Sequence, residues 1–553
     1  MSAPVIYFDL GNTLAFGPTG NKQPFDDAVA TIEALWWRGY RIGLLSDQSP
    51  GTTEQDVRQK LEDYGLESFR FDVITISSEF NPPVYKPDPQ IFEVALNKAG
   101  FSSAGTDTVF VTESLNHIEA ARALGWRAIH KPFQSSCTVA SGECIDDLDE
   151  LLNLFPQLPV DSYIRDATDD SGDDLYTGNN FWNSPDLWIR NQEDSGVSHQ
   201  NPEFGQDNWF YVRVHNRGEG IVRAFIIYIS VKEWLGTQFV YPGDYQPYLV
   251  MSGGGNIEPG DSAIFHYRWD ADQLPAAGTH VCWLTSVQLL GAPDSPPQGA
   301  HAWEHNNLAQ KNLAVVDLHP GDTGEISVVL GSRLTGEGRY YTLELHRSSN
   351  ALKLPVSLKG KSARAMGKIV RAGSDFVFKH PFGSKPSELL TRTPVTREKI
   401  SLRFIDPARV ELSAMDGGED MVTLDIESGS TLTLGGTPAD NVADTKPFRP
   451  RLSPAHLITQ QDGTTTINYA NETASVIGIG LQPQQIVRSQ LKIALPEDAV
   501  PGERYDFDLI QRNADGEIEG GISVAINVLK PRSPKPAKPR TKKPATSSRR
   551  KNS

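Results

Sequence analysis

The chain has 553 residues, 38% of them hydrophobic and 22% charged, so it predicts several packed domains rather than one. Its net charge is −17, but the last 24 residues hold ten Lys or Arg and no acid, so residues 1–529 carry −27, which argues against general nucleic-acid binding by the folded part. Three cysteines (Cys137, Cys144 and Cys282) are too few and too scattered for a disulfide framework or a zinc site, no signal peptide precedes the strand-like run at Val5, and no apolar run approaches membrane-spanning length. A reducing, cytoplasmic location is expected, with export lacking a standard signal left open.

Residues 1–157 alternate strand-like and helix-like pieces. "VIYFDL" is a strand, "PFDDAVATIEALWWRG" a helix ending at Gly39, "YRIGLLS" a strand, and "TTEQDVRQKLEDYG" a helix with a Thr cap and a closing Gly. "FDVITIS", "DTVFVT" and "WRAIHK" follow as strands, separated by the helices "DPQIFEVALNKAG" and "SLNHIEAARALG". This alternation predicts a doubly wound parallel sheet. Residues 158–180, rich in Asp, Gly and Ser, read as a linker. Over 181–319, short alternating runs such as "NWFYVRVHNRG", "VRAFIIYISV" and "THVCWLTSVQL" predict an antiparallel β-sandwich. A second β-rich region covers 320–529, as one or two domains, and closes on a hairpin around Asn513 to Gly516. The Pro- and Lys-rich tail, 530–553, is expected to be disordered.

In a parallel sheet, ligands meet the carboxyl ends of the strands. Four such ends carry polar residues: Asp9 and Thr13, Ser46 and Asp47, Lys86 before a helix, and Glu113 with Ser114. Taken singly, each has an ordinary explanation: a turn former, a helix cap, a solvated lysine. Taken together at four strand ends, they form a set for phosphoryl transfer. A carboxylate can attack phosphorus to give an acyl-phosphate that water cleaves. Mg²⁺ bridges the two anions, and a hydroxyl and an ammonium neutralise the equatorial oxygens.

This order and spacing over residues 5–133 resemble the haloacid dehalogenase (HAD) superfamily. "DLGNT" matches the first motif, with Asp9 on the nucleophile and Thr13 on the hydroxyl. Ser46 stands for the second motif and Lys86, in "KPDPQIF", for the third. In "VTESLNHIEAARALG", Glu113 takes the place of the metal-binding Asp and His117 that of a second Asp. The resemblance implies an α/β Rossmannoid fold and a phosphatase in which Asp9 attacks, Ser46 and Lys86 hold the phosphoryl group, and Asp9, Glu113 and the Gly11 carbonyl hold Mg²⁺. Gly11 stands where the family has an acid that protonates the leaving group, and His117 either supplies a proton or marks a decayed site. The alternative is a catalytically silent domain in a binding or scaffold protein. Metal-free dehalogenation is disfavoured by Glu113 and by the missing cap. Only 32 residues separate Thr13 from Ser46, and 39 separate Ser46 from Lys86, too few for a large cap insertion. The open site implied by that resemblance suits a large substrate such as a phosphorylated macromolecule, or a lid supplied by another domain.

Residues 181–218 and 305–318 resemble an immunoglobulin-like, CARDB-like module of bacterial multidomain proteins, implying a spacer or a binder of protein or carbohydrate. Trp182, Trp188 and Trp209 are either ligand platforms or, as favoured, sandwich core. "HAWEH", 301–305, fits a zinc-peptidase pattern, but its surroundings break helices, so a metal site is not expected there. The basic tail either contacts an acidic partner, nucleic acid or a membrane surface, or, as favoured, solubilises the chain.

Overall fold

A computed structural model describes residues 2–18, 21–138, 142–178, 180–232, 239–246, 249–274, 281–290, 294–331, 486–512 and 518–532. Between 331 and 486 it describes strands alone. The basic tail beyond Arg532 and the turn at 513–517 lie outside the described residues.

The N-terminal unit is the expected parallel sheet. Strands β1 (Val5–Phe8), β4 (Arg41–Ser46), β5 (Val73–Ile76), β6 (Thr108–Thr112) and β7 (Arg127–His130) lie in the order β5-β4-β1-β6-β7, all parallel. Every residue of β1 is buried, as befits the central strand of a sheet covered on both faces. Ile6, Phe8 and Leu10 join one core cluster and Val5 and Tyr7 the other. The covering helices are α1 (Ala28–Trp37), α2 (Glu54–Asp63), α3 (Pro89–Lys98) and α4 (Leu115–Ala123), with a one-turn α5 (Leu151–Leu154) further on. The local signals are honoured. Thr53 and Asp56 exchange hydrogen bonds as a capping box at α2, and Asp88 caps α3 ahead of Pro89. A two-stranded hairpin, β2 (Ala15–Phe16) and β3 (Gln23–Pro24), projects between β1 and α1. The chain leaves β1 outward on one side through β4 and β5 and returns on the other through β6, so the switch point lies between β1 and β6.

The region that follows is antiparallel. Strands β8 (Ser162–Tyr163), β9 (Leu187–Arg190), β10 (Asn208–Asn216) and β13 (Ser262–Trp269) form one sheet. Strands β11 (Val222–Lys232), β12 (Leu249–Ile257), β14 (Cys282–Leu289) and β15 (Leu308–Lys311) form the other. Phe210, Val212 and Val214 of β10 and Phe225, Ile227 and Ile229 of β11 share one core with Trp269 and Trp283, making a β-sandwich. Strand β8 lies within the stretch read as a linker: Ser162 and Tyr163 pair with β10. Leu313–Leu318 leaves the sandwich and pairs in parallel with Ile518–Val528 in a five-stranded sheet with Arg504–Arg512, Arg339–Arg347 and Thr473–Leu481. Trp182 and Trp188 are buried and Trp209 is half-buried; Trp182 packs over Gly521 and donates to Ser523 Oγ at 3.2 Å.

The α/β unit and the sandwich meet backbone to backbone. Gly39 ends α1 at φ +90°, and a Cβ there would come within 2.9 Å of Gly220 Cα, while Ile221 N donates to Gly39 O at 3.0 Å. Beside this contact, Arg223 of β11 reaches into the α/β unit and pairs with Asp72.

The cysteine expectation needs correcting. Cys137 and Cys144 form a disulfide, with Cα atoms 5.9 Å apart, and Cys282 is a free, buried thiol. Spacing alone did not reveal it, because the loop after β7 turns back so that Cys144 bridges to His130. Three cysteines therefore do not argue for a reducing compartment. Among the described residues, no helix is long and apolar enough to cross a membrane.

Candidate functional site

The site lies at the carboxyl ends of β1, β4 and β6. Asp9 directly follows β1 and stays in the sheet through its N–H, which donates to Val111 O at 3.0 Å. Its residue exposure is only 7%, so its charge needs partners. The chief partner is Lys86, whose Nζ lies 2.8 Å from Asp9 Oδ2 and donates to Leu45 O at 2.8 Å. Asp47 Oδ1 accepts from Lys86 N at 3.0 Å and fixes the loop that carries this ammonium. Asp9 Oδ1 accepts from Leu10 N at 2.8 Å. Burial pushes the Asp9 carboxyl up, but the Lys86 charge and hydrogen bond and the neighbouring His117 more than offset it, leaving Asp9 below the usual carboxylate range. His117 Nδ1 stands 3.6 Å from Asp9 Oδ2.

Glu113 approaches from β6. Its Oε2 accepts from Thr13 Oγ1 at 3.0 Å and Thr112 Oγ1 at 3.2 Å, and Thr13 Oγ1 accepts in turn from Glu113 N at 3.1 Å. The Thr112 hydroxyl also lies 3.4 Å from Asp9 Oδ2, which sets the two carboxylates side by side at the switch point. The structure therefore brings together Asp9, Thr13, Lys86, Glu113 and His117. Ser46 is buried at the end of β4, paired with Ile76 of β5, and its Oγ accepts from Gln48 Nε2 at 2.9 Å instead of joining the carboxylate network. Gly11 has the Nζ of Lys22 3.0 Å from where its Cβ would stand. Two members escaped sequence reasoning. Thr112 carried a signal, as the polar residue closing β6 beside Glu113. Lys22 carried none, since hairpin strands of two residues leave no periodicity to read.

The donor set bears on Mg²⁺. Among the described residues, no three His, Cys, Asp or Glu side chains are grouped to hold a metal. Mg²⁺, however, uses one or two carboxylates and keeps several waters, so the pair Asp9 and Glu113 suits it chemically. The stretch 301–305 forms a single 3₁₀ turn instead of a helix, and its histidine Nδ1 atoms engage Phe239 O and Asn307 N.

Residues 6–125 match the family of haloacid dehalogenase-like hydrolases, so the N-terminal unit is a HAD-like hydrolase domain. No curated protein matches the chain. Among solved structures, an uncharacterized protein from Listeria monocytogenes serotype 4b is 23% identical, aligned over 28% of this chain and 98% of that one, with a TM-score of 0.24. A HAD-superfamily hydrolase from Ehrlichia chaffeensis is 14% identical, over 28% and 97%, with a TM-score of 0.23. A dehalogenase solved with an intermediate complex is 21% identical over 24% of this chain; the match spans 57% of that chain, with a TM-score of 0.21.

Proposed function

We propose that the haloacid dehalogenase-like hydrolase domain at residues 6–125 is a Mg²⁺-dependent phosphohydrolase that works through a phosphoryl group carried on Asp9. One observation carries this reading: a buried carboxylate at the end of the central strand, held ionised by the Lys86 ammonium at 2.8 Å. An ionised, desolvated carboxylate beside a fixed cation is prepared to attack an electrophilic phosphorus.

Asp9 forms the bond to phosphorus while the ester P–O bond breaks. Lys86 stays within reach of the incoming phosphoryl oxygens because its carbonyl contact to Leu45 anchors it. Ser46, at the end of the neighbouring strand, releases Gln48 to offer its hydroxyl to the same oxygens. Water then cleaves the acyl-phosphate and restores Asp9. Asp9, Glu113 and the Gly11 carbonyl would hold Mg²⁺, which supplies charge neutralisation between the carboxylates and the phosphoryl group. Thr13 and Thr112 orient Glu113. Among the described residues only the β2–β3 hairpin and α1 lie between Thr13 and β4, which suits an open site and a bulky phosphorylated substrate, and the β-rich remainder serves to bind or space it.

The test is turnover of p-nitrophenyl phosphate and a panel of phosphorylated peptides and metabolites by the purified chain. Turnover that vanishes in Asp9→Asn supports the reading. Turnover that survives Asp9→Asn, or no hydrolysis of any phosphate ester, defeats it.

A further inference from the structure

Phosphoryl transfer to Asp9 leaves negative charge growing on the departing ester oxygen, and something must meet it. Most polar groups at the strand ends are committed elsewhere. Lys86 is held by Asp9 and Leu45 O, Thr13 and Thr112 by Glu113, and the His130 ring by Glu113 O at 3.0 Å. His117 flanks Asp9 Oδ2, on the side of the attacking carboxylate.

Lys22 differs. It is half-buried, and among the described residues it forms no hydrogen bond or ion pair, yet its Nζ fills the space that a side chain on Gly11 would occupy. Gly11 follows Asp9 by two residues just past the end of β1, where Leu10 opens a turn that Leu14 N closes onto Leu10 O at 3.3 Å. The Lys22 ammonium therefore stands against the turn that follows Asp9, two residues on from the attacking carboxylate.

The hairpin that carries Lys22 is fixed in place. Phe25 N donates to Leu14 O at 3.0 Å, and the Phe25 ring packs on Phe16 and Phe133 at centroid distances of 4.8 and 6.2 Å. Lys131 Nζ lies 3.9 Å over the same ring. Gly17, at φ +116°, lets the chain return tightly: a Cβ there would sit 2.9 Å from Asn21 O.

We propose that Lys22 is a further catalytic residue, the cation that meets the leaving oxygen of the phosphate ester, delivered from the β2–β3 hairpin into the space left by Gly11. It rests on the phosphohydrolase reading. As the Asp9–phosphorus bond forms, the P–O electron pair passes to the ester oxygen. An N–H of Lys22 hydrogen-bonds that oxygen and keeps its own proton, while water supplies the proton that completes the alcohol.

The experiment compares kcat/KM of the wild-type chain, Lys22→Met and Lys22→Arg across phosphate esters running from 2,4-dinitrophenyl phosphate to simple alkyl phosphates. Lys22→Met is expected to lose about 100-fold on alkyl esters and little on the dinitrophenyl ester, whose leaving oxygen is already stabilised. Lys22→Arg, keeping charge and donors, is expected to retain most of the alkyl activity. An equal loss across the series, or a Lys22→Arg as impaired as Lys22→Met, overturns the role of Lys22 and leaves the Asp9 reading standing. A wild-type chain that hydrolyses none of the esters removes both.

Discussion

Replacing Arg223 by Met tests how the hydrolase domain is tied to the sandwich. The Arg223 side chain is 2% exposed and that of Asp72 6%. The guanidinium donates to both Asp72 oxygens at 3.0 Å, to Asn256 Oδ1 at 2.9 Å, and to the carbonyls of Trp36 and Tyr40 at 3.0 and 2.6 Å, and it lies 4.4 Å over the Trp36 ring. In Arg223→Met, Asp72 keeps the backbone N–H of Ile42 and the amide of Asn256, both neutral donors. Removing one partner of a buried pair costs about 3–5 kcal/mol, and the two surviving bonds place this case near the lower end. Asp72→Asn in the same chain removes the stranded charge, so the double variant should recover about 1–3 kcal/mol of that loss. Urea unfolding followed by tryptophan fluorescence measures both quantities. Strictly additive effects, or an unchanged midpoint in Arg223→Met, would refute the claim that this pair joins the two units.

Two further outcomes follow from charge. Burial pushes the Asp186 carboxyl up, but hydrogen bonds from Arg165 and His215 outweigh it and bring it from 3.8 to about 2. A carboxyl lowered in the folded state stabilises above its unfolded value and loses that contribution as pH falls, here between about pH 4 and pH 2, amounting to about 2 kcal/mol. Acid unfolding of Asp186→Asn should therefore be shallower over that window than that of the parent; parallel curves would exclude the effect. At the hydrolase site, chelation should abolish phosphatase turnover and Mg²⁺ restore it, with Glu113→Gln raising the Mg²⁺ concentration needed for half-maximal rate. Full activity in excess chelator would count against the metal.

Much of the hydrolase domain was legible because its signals are local. Apolar runs such as Val5–Phe8 ended in polar residues, and α2 and α3 announced themselves through Thr53, Asp88 and Pro89. The approach of Lys86 to Asp9 was foreseeable because parallel strands deliver their ends to one edge. What escaped depended on distant parts of the chain meeting. Nothing around Arg223 names Asp72, 151 residues away, as its partner. Leu313–Leu318 looked like the last strand of its module, and only the pairing with Ile518–Val528 shows otherwise. Ser46 stands at the expected strand end, but its hydroxyl meets Gln48, a contact that only side-chain packing decides.

The most direct measurement is acid quenching of the chain during turnover of a phosphate ester, followed by mass spectrometry of its peptides. The account predicts one added phosphoryl group on the peptide containing Asp9, labile to hydroxylamine and absent from Asp9→Asn. A chain that turns over the ester with no such adduct, or with an adduct on another residue, would contradict it.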